Sequence, residues 1–157
     1  MSTPRELFRH TLATLAYRAA KVLRDAPEDF ASSTAGGGNR TPSQVLAHMG
    51  DLLDWALSKA QGAERWANVP PGPWGSDITR FFAALEKFDT YLASGAPVAC
   101  SHEELFQGPV ADALTHVGQL AMLRRLAGCP MKGENYASAE IIAGRVGVQQ
   151  TAPSREF

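Results

Sequence analysis

The sequence predicts an all-α protein, a four-helix bundle with a short C-terminal helical extension. Four segments carry helix start signals, each is followed by apolar residues at helical spacing, and no segment alternates polar and apolar residues as a half-buried strand does. A helix with one apolar side must bury it against another element. Packing the helices together as a bundle is the most economical solution.

The first two helices begin with the same pattern of cap, proline and capping-box residue. Thr3-Pro4-Arg5-Glu6 predicts a helix that continues to about Arg24. Thr41-Pro42-Ser43-Gln44 predicts a second helix that continues to about Gln61. We interpret Gly36-Gly37-Gly38 between them as a flexible loop, because neither a preceding strand nor a following Lys-Ser/Thr pair marks it as a phosphate-binding loop.

The later helices are separated by proline and glycine. Ser76 is the expected cap of the third helix, which ends near Gly95. A capping box from Ser101 to Glu104 predicts a single turn, and Pro109 is the expected start of a fourth helix that runs to Leu126.

The length of 157 residues suits one hydrophobic core, and no internal repeat is visible. We therefore expect a single domain over residues 1–150, with one short helix around Tyr136 to Ala143. Residues 151–157 are expected to form a frayed tail.

Composition excludes several classes of function. A net charge of -1 without a long basic run argues against nucleic-acid binding, and no apolar stretch is long enough to cross a bilayer. We expect a cytoplasmic protein in which Cys100 and Cys129 are free thiols, since their separation fits neither a zinc ribbon nor a redox dithiol motif. No serine or cysteine has the local sequence of a nucleophilic triad.

The strongest candidate for chemistry is a divalent-metal site formed by His48, Asp112 and His116. Asp112 and His116 stand at positions i and i+4 of the fourth helix, so they share one face, and His48 lies on the second helix. Helical phases place both histidines roughly 100° from the centres of their apolar stripes, in the same rotational sense. Such positions border a groove, which favours a site that solvent can reach. Ordinary packing histidines and a surface ion pair are the alternative interpretation.

Neighbouring residues have open roles. Trp55 is expected either to line a pocket or only to pack, and Gln119 either to orient a ligand or to be solvated. Asp51 is the nearest candidate for a further carboxylate or a general base, or it begins the exposed face. We expect His10 and His102 to be surface residues.

These residues resemble the DinB/YfiT-like superfamily of four-helix-bundle proteins. The resemblance rests on Gln44-Val-Leu-Ala-His48-Met-Gly-Asp51, on Asp112-Ala-Leu-Thr-His116-Val-Gly118-Gln119, which is similar to a His-x-x-x-His-x-Gly-Gln pattern, and on the tail from Tyr136 to Gly147. It covers most of the chain through short motifs. Asp112 stands where the family pattern has its first helix-4 histidine, so the carboxylate either replaces an imidazole ligand or marks a weakened site.

The resemblance implies a bound metal, commonly zinc or nickel, and frequent homodimers. A set of two histidines and one carboxylate also suits manganese or non-haem iron. The first functional hypothesis is a metal-dependent hydrolase or low-molecular-weight-thiol-dependent transferase that acts on a small molecule. The second is a non-catalytic stress-response or ligand-binding bundle with a structural or vestigial metal.

Overall fold

The computed structural model describes all 157 residues, and the prediction of an all-α bundle is confirmed. The helices are α1 (Pro4–Leu23), α2 (Pro42–Ala60), α3 (Trp74–Ala93), the single turn α4 (His102–Leu105) and α5 (Ala111–Leu126). Short 3-10 turns occur at Glu28–Ser32 and Tyr136–Ser138. None of the helices combines the length and the apolarity that a bilayer crossing requires.

The capping boxes at the starts of α1 and α2 are confirmed. The hydroxyl of Thr3 accepts the Glu6 N–H at 3.2 Å, and that of Thr41 accepts the Gln44 N–H at 3.3 Å. The side chains of Glu6 and Gln44 accept the N–H groups of the two threonines in return. Each box satisfies two backbone donors that a helix start leaves unpaired.

The predicted cap of α3 is wrong by three residues. Pro73 takes the cap position in place of Ser76, and the helix begins at Trp74. Asp77 is buried, and its carboxylate accepts the Gly72 N–H at 2.9 Å. The first turn of α3 is therefore fixed by the proline-rich connection that precedes it.

The start predicted at Pro109 is also wrong, because the helix has already begun. A π turn over Phe106–Val110 joins α4 to α5, with Pro109 inside it. Proline lacks the N–H that a regular helix needs, and a π turn relieves the clash of its ring with the preceding turn. The wider turn changes the helical phase, so that Leu105 is fully buried whereas Phe106 is 47% exposed.

The bundle is arranged so that α1 and α2 each pack against both α3 and α5. The shared core contains 29 buried residues, among them Leu12, Met49, Phe81 and Leu120. Because α2 lies directly beside α5, the flanks of these two helices form a common edge. That edge carries the residues predicted to bind metal.

The C-terminal segment makes more contacts with the rest of the chain and contains less helix than expected. The predicted helix over Tyr136 to Ala143 is reduced to the turn Tyr136–Ser138. Residues 151–157, which we expected to fray, include Phe157, whose backbone exchanges two hydrogen bonds of 3.1 Å with Gly133. The N–H of Asn135 also donates to the carbonyl of Arg155 at 3.0 Å.

A buried ion cluster ties this segment to α1. The Lys21 ammonium donates to Glu134 and to Glu156, each at 2.8 Å, and the Tyr17 hydroxyl donates to Glu134 at 2.6 Å. The Glu134 side chain is 0% exposed. Burial, together with the neighbouring Glu134 charge, raises the pKa of Tyr17, which keeps its proton available for this bond.

Replacing the cation of this cluster is expected to be costly. Lys21→Met leaves the Glu134 carboxylate buried without its cation, so the free energy of unfolding should fall by about 3–5 kcal/mol. Urea denaturation monitored by circular dichroism measures the loss. Lys87→Met, at an exposed position of α3, is the matched control.

Adding Glu134→Gln to Lys21→Met removes the unpaired charge and should recover part of the loss. Equal stability of Lys21→Met and Lys87→Met would show that the cluster does not hold the C-terminal segment.

Candidate metal centre

The structure brings the three predicted ligands together at the edge between α2 and α5. Asp112 lies between the two imidazoles: its Oδ2 is 3.4 Å from Nε2 of His48, and its Oδ1 is 3.4 Å from Nε2 of His116. One ligand atom from each residue lies within 4.8 Å of the other two. The group can hold a metal ion.

The three side chains differ in their exposure to solvent. His116 is 8% exposed, His48 18% and Asp112 45%. Helical phases predict both histidines at the flank of the core, and they lie where α2 and α5 meet. The carboxylate side of the group is open to solvent, which a substrate-accessible site requires.

Each imidazole lies at the spacing of neighbouring tetrahedral ligands from one oxygen of Asp112. Zinc–nitrogen bonds of about 2.0–2.1 Å place neighbouring tetrahedral ligands about 3.4 Å apart. The two nitrogen–oxygen distances of 3.4 Å involve different oxygens of Asp112, Oδ2 toward His48 and Oδ1 toward His116. The Asp112 carboxylate therefore faces both imidazoles, which is compatible with a ligand at the position where this sequence departs from the family pattern.

Gln119 orients the more buried imidazole. Its Oε1 lies 2.8 Å from Nδ1 of His116, so Nδ1 carries the proton and donates it to the amide oxygen. Where the ring is neutral, Nε2 presents a lone pair toward the Asp112 carboxylate, which is itself only an acceptor. Two acceptors face each other favourably only with a cation or a proton between them. This arrangement fits a metal site and supports the orienting role of Gln119.

The surroundings of His48 keep its imidazole neutral. Burial, the Arg40 charge and His116 lower the pKa of His48, and together they outweigh the opposing effect of Asp112. Metal ligation requires the neutral ring, so a lowered pKa extends the range of pH over which His48 can bind.

A pair of tryptophans closes one side of the site. Trp66 packs edge-on against His48 with ring centroids 5.7 Å apart, and Trp55 packs on Trp66 at the same separation. The Trp55 indole donates to Glu64 at 2.9 Å. Trp55 thus acts through Trp66, a residue that sequence analysis missed because it lies in the irregular connection between α2 and α3.

Asp51 is neither a ligand nor a free base. Its buried carboxylate accepts the Arg80 guanidinium at 2.6 Å and the Val69 N–H at 3.3 Å. Arg80 crosses α2 above Gly50, where a Cβ would come within 2.9 Å of the guanidinium. Asp51 therefore holds the connection that carries Trp66 against the site.

The remaining sequence candidates lie elsewhere. His10 is exposed as expected, whereas the His102 imidazole packs against Phe8 at 5.6 Å and its Nε2 is buried without a partner. Cys100 and Cys129 are free thiols. None of these residues belongs to the metal group.

Two open cavities flank the metal group. One of about 500 Å³ lies between α5 and residues 35–45 and is lined by His116 and Gln119. The other, of about 350 Å³, is lined by His48 and Asp51. Arg40 lines both.

Comparisons with protein families, with curated proteins and with solved structures gave no match.

The hydrogen bond from His116 to Gln119 should be required for tight metal binding. Gln119→Leu removes the acceptor that fixes the ring, so zinc affinity should fall by about 10–100-fold. Gln119→Glu keeps an acceptor and should retain the affinity. Competition with a chromogenic chelator measures both, and equal affinity of Gln119→Leu and wild type would contradict the orienting role.

The pKa of His48 should respond to Arg40. In metal-free protein, His48 should titrate below its ordinary value of 6.5, and Arg40→Gln should raise that pKa because one positive neighbour is lost. NMR of the imidazole Cε1–H against pH follows the titration, with Arg125→Gln on α5 as the matched control. A wild-type pKa at or above 6.5 would contradict this account of the site's electrostatics.

Proposed function

We propose that the chain is a metal-dependent enzyme of the DinB-like superfamily, either a hydrolase or a low-molecular-weight-thiol-dependent transferase acting on a small molecule. The observation that carries the proposal is the convergence of His48, Asp112 and His116 from two helices at a position open to solvent. Zinc or nickel fits this donor set, and manganese or iron also accepts it.

Each residue of the site has a distinct task. Gln119 holds His116 through Nδ1, and burial and Arg40 lower the pKa of His48 and so favour its neutral form. Asp112 contributes the negative charge that partly balances a divalent cation. When bound, such an ion supplies Lewis acidity and exchangeable coordination positions. The tryptophan pair packs on one side of His48, and the two cavities leave access for a substrate.

A non-catalytic binding protein with a structural or vestigial metal is the second candidate. The ion pair between Asp51 and Arg80 favours it, because the nearest acid beyond the ligands is already engaged and is not free to move a proton. From the family resemblance, we further propose that the chain is a homodimer, and from its two separate cysteines that it acts in the cytoplasm.

Metal content tests the common basis of both candidates. Protein purified without chelators and without a metal-affinity tag should contain near one ion per chain by plasma emission spectroscopy. His48→Ala and His116→Ala should each abolish it because each removes one of three ligands. His10→Ala, at an exposed histidine outside the site, should leave the content unchanged.

Absence of metal from the wild type, together with no thermal stabilisation by zinc, nickel or manganese, would refute the proposal. For metal-loaded protein, thiol consumption against electrophiles and an ester and amide panel separate transfer from hydrolysis. Metal-dependent stability without turnover in either assay would favour the second candidate.

A further inference from the structure

The larger of the two cavities has a polar end and an apolar end. Along α5 its lining changes from His116 and Gln119 to Met122, Leu123 and Leu126. These positions span about 15 Å at the helical rise of 1.5 Å per residue. The volume of about 500 Å³ falls within the usual range of small-molecule sites.

The apolar end presents side chains that the fold leaves uncovered. Met122 is 52% exposed and Leu126 is 65% exposed, and both belong to the wall of this cavity. Their position three to four residues apart puts them on one face of α5, continuous with Gln119 and therefore with the metal group. An apolar chain lying along this face would cover both side chains.

Arg40 gives the polar end its charge. Its exposed guanidinium has no hydrogen bond and no ion pair within the protein, as is also true of Arg125, and Arg40 is the arginine that lines this cavity. It borders the cavities on both sides of the metal group. Among the residues that line the larger cavity, none carries a negative charge.

We propose that this cavity binds an organic anion with an unbranched apolar chain, whose charged group lies at Arg40 and whose chain lies along Met122 and Leu126. An unpaired arginine at the mouth of an apolar groove matches a carboxylate by charge and by its planar donor geometry. This cavity would supply the substrate class of the proposed enzyme. The proposal rests on the proposed function, because it takes the metal beside the anion from it.

Calorimetric titration of metal-loaded protein with butyrate, hexanoate and octanoate tests the chain. Each added methylene should lower Kd about twofold to fourfold as it leaves water. Hexanoate should bind about tenfold more tightly than hexan-1-ol, because only the carboxylate pairs with Arg40. Octanoate should also shift the NMR signal of the Met122 methyl group.

Paired variants locate the two ends of the ligand. Arg40→Gln should remove the preference for hexanoate over hexan-1-ol and keep the chain-length dependence, whereas Arg125→Gln should change neither. The double variant Met122→Gln/Leu126→Gln should flatten the chain-length dependence. Leu7→Gln, at an exposed leucine of α1, should leave it unchanged.

The outcomes distinguish this inference from the proposed function. If the wild type holds no metal and alkanoates still bind with a chain-length dependence, the proposed enzyme is refuted and the anion site is retained. A loaded metal centre with no alkanoate binding, or with equal binding of hexanoate and hexan-1-ol, would overturn the inference alone. A dimer that dissociates in the Met122→Gln/Leu126→Gln variant would show that a second copy covers this face, and would overturn it as well.

Discussion

The contact between α2 and α5 determines where the three candidate ligands lie. The apolar stripes of both helices are buried in one core, so their rotation about their own axes is fixed by packing. With that rotation fixed, His48 and the pair Asp112 and His116 meet at the same edge. The hydrophobic core thus holds three hydrophilic side chains within reach of one ion. The free-energy cost of bringing them together is met when the protein folds, before any ion binds.

The helical pattern of the sequence was sufficient for most of this arrangement. Spacing at 100° per residue predicted that His48 and His116 flank their stripes, and capping boxes predicted where α1 and α2 begin. The helical pattern gave wrong predictions where the backbone departs from a regular α-helix. The π turn that contains Pro109 leaves no sequence signal beyond the proline, yet it decides that Leu105 and not Phe106 enters the core.

Contacts that depend on tertiary structure could not be predicted either. In the sequence, Asp51 lies only one helical turn from His48 and could equally be a ligand. The structure shows that its carboxylate is bound by Arg80, which approaches over Gly50. Trp66 likewise reaches His48 because Asp51 holds the backbone of Val69, a contact made across 18 residues of chain. The irregular connection between α2 and α3 thus places Trp66 at the site because the helices on either side fix its position.

Asp112 links these observations through its charge. Three neutral imidazoles would leave a divalent ion with its full charge beside the Arg40 guanidinium, which lines both neighbouring cavities. A carboxylate in place of one imidazole lowers the net charge of the centre by one and reduces that repulsion. The aspartate at position 112 and the unpaired arginine at position 40 are therefore mutually consistent: the first favours retention of a cation beside the second. The arginine in turn stays free to attract an anion from solvent.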